Sequence, residues 1–302
     1  MIGALFGRAR AKPAARFART GFAESTLAEI AWERTRNAAN RWSVGGLVLG
    51  VAAGLVAFAP AAWLARGVAA ASGDKLLLTD ARGTVWSGSA LPVLTGGPGS
   101  RDATALPDRL SWRLGLAWQG GPGAELKLRQ PCCLRGEVGV MVAPGWGRTV
   151  IRVQPNESNT LGQWPAALLA GLGTPWNTLQ LGGTLRLTSP GMVFETVQGR
   201  VRFSGDAALD IANAASRVST LDTLGSYRLT LHGDAARGEA AQLNLSTIEG
   251  ALRLSGEGQW TGAGAVRFRG EASAAEGNEA ALNNLLNIIG RRQGARSVIS
   301  IG

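Results

Sequence analysis

The chain has 302 residues, a formal net charge of +10, 43 glycines, one tyrosine, one histidine and two cysteines. The lone His232 and the adjacent pair Cys132–Cys133 leave no material for a His-based triad, a multi-His metal site or a Cys-x-x-Cys motif. The composition therefore argues against an enzyme and against a bound metal or cofactor, and no nucleic-acid motif accompanies the high charge.

Residues 1–23 are Ala/Arg-rich, lack apolar periodicity and read as disordered. From Ser25, a candidate N-cap, Leu27, Ile30 and Arg34 share one face of a helical lead-in that ends at Arg41. The run from Trp42 to Leu64 contains no Asp, Glu, Lys or Arg. As a continuous helix it would be roughly 34 Å long, enough for a hydrocarbon core of about 30 Å. Trp42 and Trp63 stand at the two headgroup levels, with Arg41 and Arg66 flanking. A cleavable signal peptide is the rival reading, since Ala57-Phe58-Ala59 has a small-x-small form. The forty-one residues before the run and Pro60 after that triplet favour an uncleaved anchor instead. Arg8, Arg10, Lys12, Arg16, Arg19, Arg34, Arg36 and Arg41 outnumber Glu24, Glu29 and Glu33 ahead of the run, which places the N-terminus in the cytoplasm. Gly46, Gly50 and Gly54 form a small-xxx-small ridge suited to packing against another helix, including a second copy in a homodimer.

Past the anchor the hydrophobic period changes from 3.6 to 2. Leu76–Thr79 leads into Gly83-Thr84-Val85-Trp86-Ser87-Gly88, a turn whose Trp86 is large enough to plug a core edge. Residues 95–108 read as a loop. Leu110, Trp112, Leu114, Leu116 and Trp118 then alternate with polar or small residues, the mark of a strand with one buried face. Leu126/Leu128 and Val138/Val140/Val142 repeat the pattern, and Pro165 is placed to open a short helix within 161–172. From Gly183 a strand form recurs in which two apolar residues flank Arg186, Arg202, Arg253 or Arg267. Alternation puts these four arginines on the face opposite the core, as a solvated surface or as a contact face for an acidic partner. Leu282, Leu285, Leu286 and Ile289 recur at helical spacing, with Gly290 as C-cap and Arg291/Arg292 beside the negative helix end, and Ser297–Ile301 reads as a last strand. Cys132 and Cys133 could form a vicinal disulfide, pair between chains or stay buried.

Five segments carry a family likeness: GTVWSGSA at Gly83–Ala90, LSWRL at Leu110–Leu114, LGSYRLTL at Leu224–Leu231, TIEGALRLSGEGQW at Thr247–Trp260 and LLNIIGRR at Leu285–Arg292. In these and their order the chain resembles protein N of the type II (general) secretion pathway, with Gly83, Trp86, Gly88, Gly225, Tyr227, Gly256, Trp260, Gly290 and Arg291 as its motif positions. The resemblance implies a non-catalytic inner-membrane accessory subunit that meets inner-membrane platform subunits or the outer-membrane secretin. The expected fold is mostly β: a basic cytoplasmic arm over 1–41, a transmembrane helix over 42–64, and a large twisted, mainly antiparallel periplasmic sheet with two short helices over 65–302. A second reading is a membrane-anchored lipid-binding protein with an AsmA-like apolar sheet groove. It turns on whether Trp112, Leu114, Leu116, Trp118, Leu185, Val201, Phe203, Leu252 and Leu254 on the apolar face of the sheet are covered or line an open trough.

Overall fold

The computed structural model describes residues 42–118, 121–154, 158–234, 240–262 and 266–302. The arm over 1–41 and its Ser25-capped lead-in lie outside them. The chain divides after Phe58 into two units. In the first, α1 (residues 42–57) is a helix whose large apolar side chains are exposed among the described residues. At about 1.5 Å per residue it is roughly 24 Å long. Among the described residues, no helix is long and apolar enough to cross a membrane.

The expected uninterrupted helix over 42–64 is corrected at Pro60. Phe58 makes the last turn, its N–H bonded to the Gly54 carbonyl at 2.9 Å. Pro60 is extended (φ −68°, ψ 145°), and with no N–H and a fixed φ it cannot carry the helix on. The second unit begins here: the Ala59 carbonyl accepts the Val85 N–H at 2.8 Å, and Pro60 bridges Thr84. A separate helix, α2 (Ala61–Ser72), follows, so Trp63 belongs to the β-rich unit.

That unit continues through β1 (Leu76–Gly83), β2 (Ser87–Thr95), β3 (Ala103–Ala105), β4 (Leu110–Ala117), β5 (Gly123–Arg129), β6 (Val138–Gly145), β7 (Arg148–Gln154) and β8 (Thr160–Pro165). A 3-10 helix (Ala166–Leu172) and α3 (Trp176–Leu179) precede the long hairpin β9 (Leu181–Val197) and β10 (Arg200–Ser216). Then come β11 (Gly225–Gly233), β12 (Ala241–Gly250), β13 (Leu252–Trp260), β14 (Val266–Ala274), α4 (Glu279–Ile289), β15 (Arg291–Gln293) and β16 (Arg296–Ile301). The strands form one sheet in the order β1-β2-β4-β5-β6-β7-β9-β10-β11-β12-β13-β14-β16-β15, with β3 on β2 and β8 on β9. Every pairing within it is antiparallel, as the alternating pattern requires. Pro190 interrupts β9 where its edge changes partner from β8 to β7, so its missing N–H costs no ladder bond. The segment 95–108, expected as a loop, contributes the short β3.

Two cores hold the sheet. At one end α2 seats Ala61 and Leu64 against Ala90, Trp112, Leu126 and Leu128. The plug there is Trp112, whose Nε1 donates to the carbonyls of Thr84 and Val85; Trp86 is only half-buried in the turn. Near the other end, Leu282, Leu285 and Leu286 on the inner stripe of α4 pack on Tyr227, Leu252 and Ala272. Gly290 caps α4 in an extended conformation (φ −168°, ψ 179°) rather than the expected left-handed one. The chain therefore runs straight into β15, and Arg291/Arg292 are strand residues instead of complements to the helix end.

Candidate interaction surfaces

Cross-strand register converts the alternation into two apolar rows on one face. Leu114–Leu126–Val140–Val153–Met192 forms the first, and Leu116–Ala124–Val142–Ile151–Phe194 the second. With strands about 4.8 Å apart, the rows run roughly 19 Å across β4, β5, β6, β7 and β9. Leu116 is 73 % exposed and the other members are half-buried. No charged side chain interrupts either row.

Farther along, the same face closes on itself. Trp260 on β13 and Phe194 on β9 are four strands apart, about 19 Å on a flat sheet, yet their ring centroids are 6.4 Å apart. Phe203 on β10 completes the cluster at 5.2 Å from Phe194 and 6.3 Å from Trp260. The Val201 N–H donates to the Gly262 carbonyl at 3.2 Å, joining β10 directly to the end of β13. Gly262 is required at this seam: its φ is +73°, and a Cβ would lie 1.6 Å from the Val201 carbonyl oxygen. Of the residues on which the groove reading turned, Trp112, Leu185, Phe203 and Leu252 are buried, Leu114, Val201 and Leu254 are half-buried, and Leu116 and Trp118 are open.

Arg186, Arg202, Arg253 and Arg267 all lie exposed on the outer face, and none forms an ion pair with a described residue. They do not converge on one site. In register, Arg186 faces Asp210 and Arg202 faces Glu195, while Arg253 faces Ser273 and Arg267 faces Gln259. The last two are about 20 Å apart along β13 at ~3.4 Å per residue. Acidic neighbours on this face are engaged already: Glu195 with Arg148 at 2.7 Å, and Asp210 with Arg228 through two bonds of 2.7 and 2.9 Å. The Arg228 guanidinium holds the Asp210 carboxyl below its usual range against the opposing effect of burial.

Both sheet edges are short of pairing groups. The Ser72 hydroxyl donates to the Leu76 carbonyl and accepts its N–H, and β1 bulges at Asp80, where φ is +48°. The opposite edge, β15, has three residues. Cys132 and Cys133 form a vicinal disulfide, with Cys133 buried and Cys132 exposed, in a loop whose Cys133 carbonyl accepts the Gln163 N–H of β8. His232 meets only Asp206, at 2.6 Å on the exposed face, and among the described residues no three His, Cys, Asp or Glu side chains gather to hold a metal. Gly46, Gly50 and Gly54 stand in open space along α1.

A model of the type II secretion system protein N family matches residues 74–299. The chain belongs to that family. No curated protein and no solved structure matched. Membership places the chain among components of the type II secretion system, in a family of non-catalytic accessory components. Seen in the structure, the motif positions are largely sites of close approach. Gly83 pairs with Gly88, where a Cβ would meet the Trp112 ring at 2.6 Å; Gly225 pairs with Gly250; and Gly256 lies under the Phe268 ring. Tyr227 is buried, donates its hydroxyl to the Leu252 carbonyl at 3.0 Å and has its pKa pushed up by that burial. Trp260 belongs to the aromatic seam, and a Cβ on Gly290 would meet the Val298 carbonyl at 2.6 Å. Arg291 is exposed on β15 and Trp86 sits in the β1–β2 turn. The open two-row strip is the feature that sequence reading missed. Its signal was present in the alternations of 110–118, 124–128, 138–142 and 149–153, but which alternations would be covered was not.

Proposed function

We propose that the chain is an inner-membrane, periplasm-facing scaffold subunit of the type II secretion system, supporting export of folded proteins by presenting a docking surface to its neighbours. The observation that carries this reading is the uncharged, half-open strip across β4, β5, β6, β7 and β9 in a chain of this family, covered only at Leu126 by the α2 core and at Phe194 by the aromatic seam. Apolar area of that kind is stabilised by covering it, at roughly 25 cal/mol per Å². Inner-membrane platform subunits and the outer-membrane secretin are the partners such a subunit would meet, and the outward arginines offer a secondary cationic face to them. The blunted edges disfavour strand addition as the docking mode.

Anchoring is assigned to α1. Among the described residues its large apolar side chains are exposed, and a helix with that surface is at home in lipid. The described helix is some 6 Å short of an average hydrocarbon core, a mismatch that local thinning of the bilayer meets. The basic arm would hold the N-terminus in the cytoplasm, leaving the sheet in the oxidising periplasm, where a Cys132–Cys133 disulfide persists. The unencumbered ridge of Gly46, Gly50 and Gly54 suits helix–helix contact within the membrane, with a second copy or another subunit.

The absence of any charge in the two rows also suits an acyl chain, and this keeps the AsmA-like lipid-binding reading as the second one. A photoreactive residue at Val140 or Ile151 separates them in actively secreting cells. The scaffold reading expects an adduct with a secretion subunit; a lipid adduct, with co-purified lipid in native mass spectrometry, favours the second. Failure to trap either would sink both.

A further inference from the structure

Strands β1, β4, β6 and β9 run in the same direction, so the turns that follow them lie at one end of the sheet. That end is also where the chain enters this unit, because Ala59 and Pro60 are held by Val85 and Thr84 in the first of those turns. Two of the turns carry indoles exposed among the described residues: Trp118 is 74 % exposed, and Trp146, at the tip of Gly145-Trp146-Gly147, is fully exposed. Residues 84–86, 118–122, 146–147 and 198–199 include no Asp or Glu, and two exposed arginines flank the last two turns, Arg148 paired with Glu195 and Arg200 in no ion pair with a described residue.

Exposed tryptophans on hairpin tips that themselves carry no Asp or Glu, with the cation of Arg200 beside them, match the headgroup layer of an anionic bilayer. There the ring lies in the apolar boundary and its N–H meets polar groups. A protein partner is the weaker fit, since the glycines beside Trp146 provide no surrounding surface to complement. We infer that this end of the sheet rests on the membrane, with Trp118 and Trp146 seated at the headgroup level. The unit would then be fixed in tilt as well as tethered. This rests on the anchored reading above.

The test is the fluorine NMR spectrum of the full chain labelled with 5-fluorotryptophan, in nanodiscs of phosphatidylethanolamine and phosphatidylglycerol. Trp42→Phe, Trp118→Phe and Trp146→Phe assign the three resonances. A headgroup-level nitroxide lipid is expected to broaden Trp118 and Trp146 beyond detection, while a soluble paramagnetic chelate spares them. Broadening of Trp42 by the lipid label, with Trp118 and Trp146 answering only to the chelate, overturns the seating and leaves the anchor intact. If Trp42 itself answers to the chelate, the anchored reading fails, and the seating with it.

Discussion

The two halves of the sheet are written in the same alternation and end in opposite states. On β13, Leu252 is buried in the α4 core and Leu254 packs half-buried against it. On β4, a buried Trp112 is followed by a half-buried Leu114 that no helix covers and by Leu116 in the open. What differs is the third dimension: the C-terminal strands have a helix to cover them and a seam at Gly262 that closes the curl, whereas α2 covers the N-terminal strands only as far as Leu126 and Leu128. An apolar face is therefore a core in one half and a surface in the other. Only the surface is available for function.

This contrast is broken most forcefully by truncating matched leucines. Leu286→Ala removes a side chain with no exposure from the α4 core and should cost about 2–5 kcal/mol. Leu114→Ala in the open strip should cost about 1 kcal/mol or less, because little cover is lost. Equal losses in denaturant titrations of the full chain would mean that the strip is as well packed as the core. Gly262→Ala comes next, at about 1–3 kcal/mol for a left-handed position with its Cβ forced into the Val201 carbonyl. It should also raise hydrogen exchange at the Val201 amide selectively, and uniform exchange would remove the seam from the account. Smaller in stability, but sharper on function, is Val140→Ser. Its effect on folding should stay below about 1 kcal/mol, while the photo-adduct formed from Ile151 should fall clearly. An undiminished adduct would mean that the partner does not lie along the rows.

Much of this was legible beforehand, and the reasons are local. Period-2 alternation from Leu110 to Trp118 gave β4, and the spacing of Leu282, Leu285, Leu286 and Ile289 gave α4, because each pattern is set by backbone geometry within a few residues. Pro60 carried the break in the apolar run, but hydropathy outweighed it until the Ala59–Val85 bond placed the break at the start of the sheet unit. The seam was beyond reach. Val201 and Gly262 are separated by three strand connections, and nothing near either one states how tightly the sheet curls. The extent of the arginine face was beyond reach for a related reason. Arg186, Arg202, Arg253 and Arg267 share a side by alternation, yet register and curvature decide whether a shared side becomes one site.

The outer face offers the gentlest check, since its charges should report on folding without touching the strip. Asp210 on β10 accepts two bonds from Arg228 on β11, whose guanidinium holds the folded carboxyl below the usual carboxylate range. A lowered folded pKa means the pair contributes stability above the unfolded carboxyl value of about 3.9, and that contribution is lost as pH falls through the folded value. Arg228 is half-exposed to solvent, so the pair is worth about 0.5–1 kcal/mol, in line with other solvated ion pairs. Asp210→Asn should therefore destabilise the chain by that amount at pH 7 and by much less near pH 2.5, measured by thermal unfolding in detergent. It should leave adducts from Val140 and Ile151 unchanged, because it lies on the opposite face from the rows. A penalty that persists undiminished at low pH would assign the loss to strand packing rather than charge, and a change in the adducts would couple two faces that the fold keeps apart.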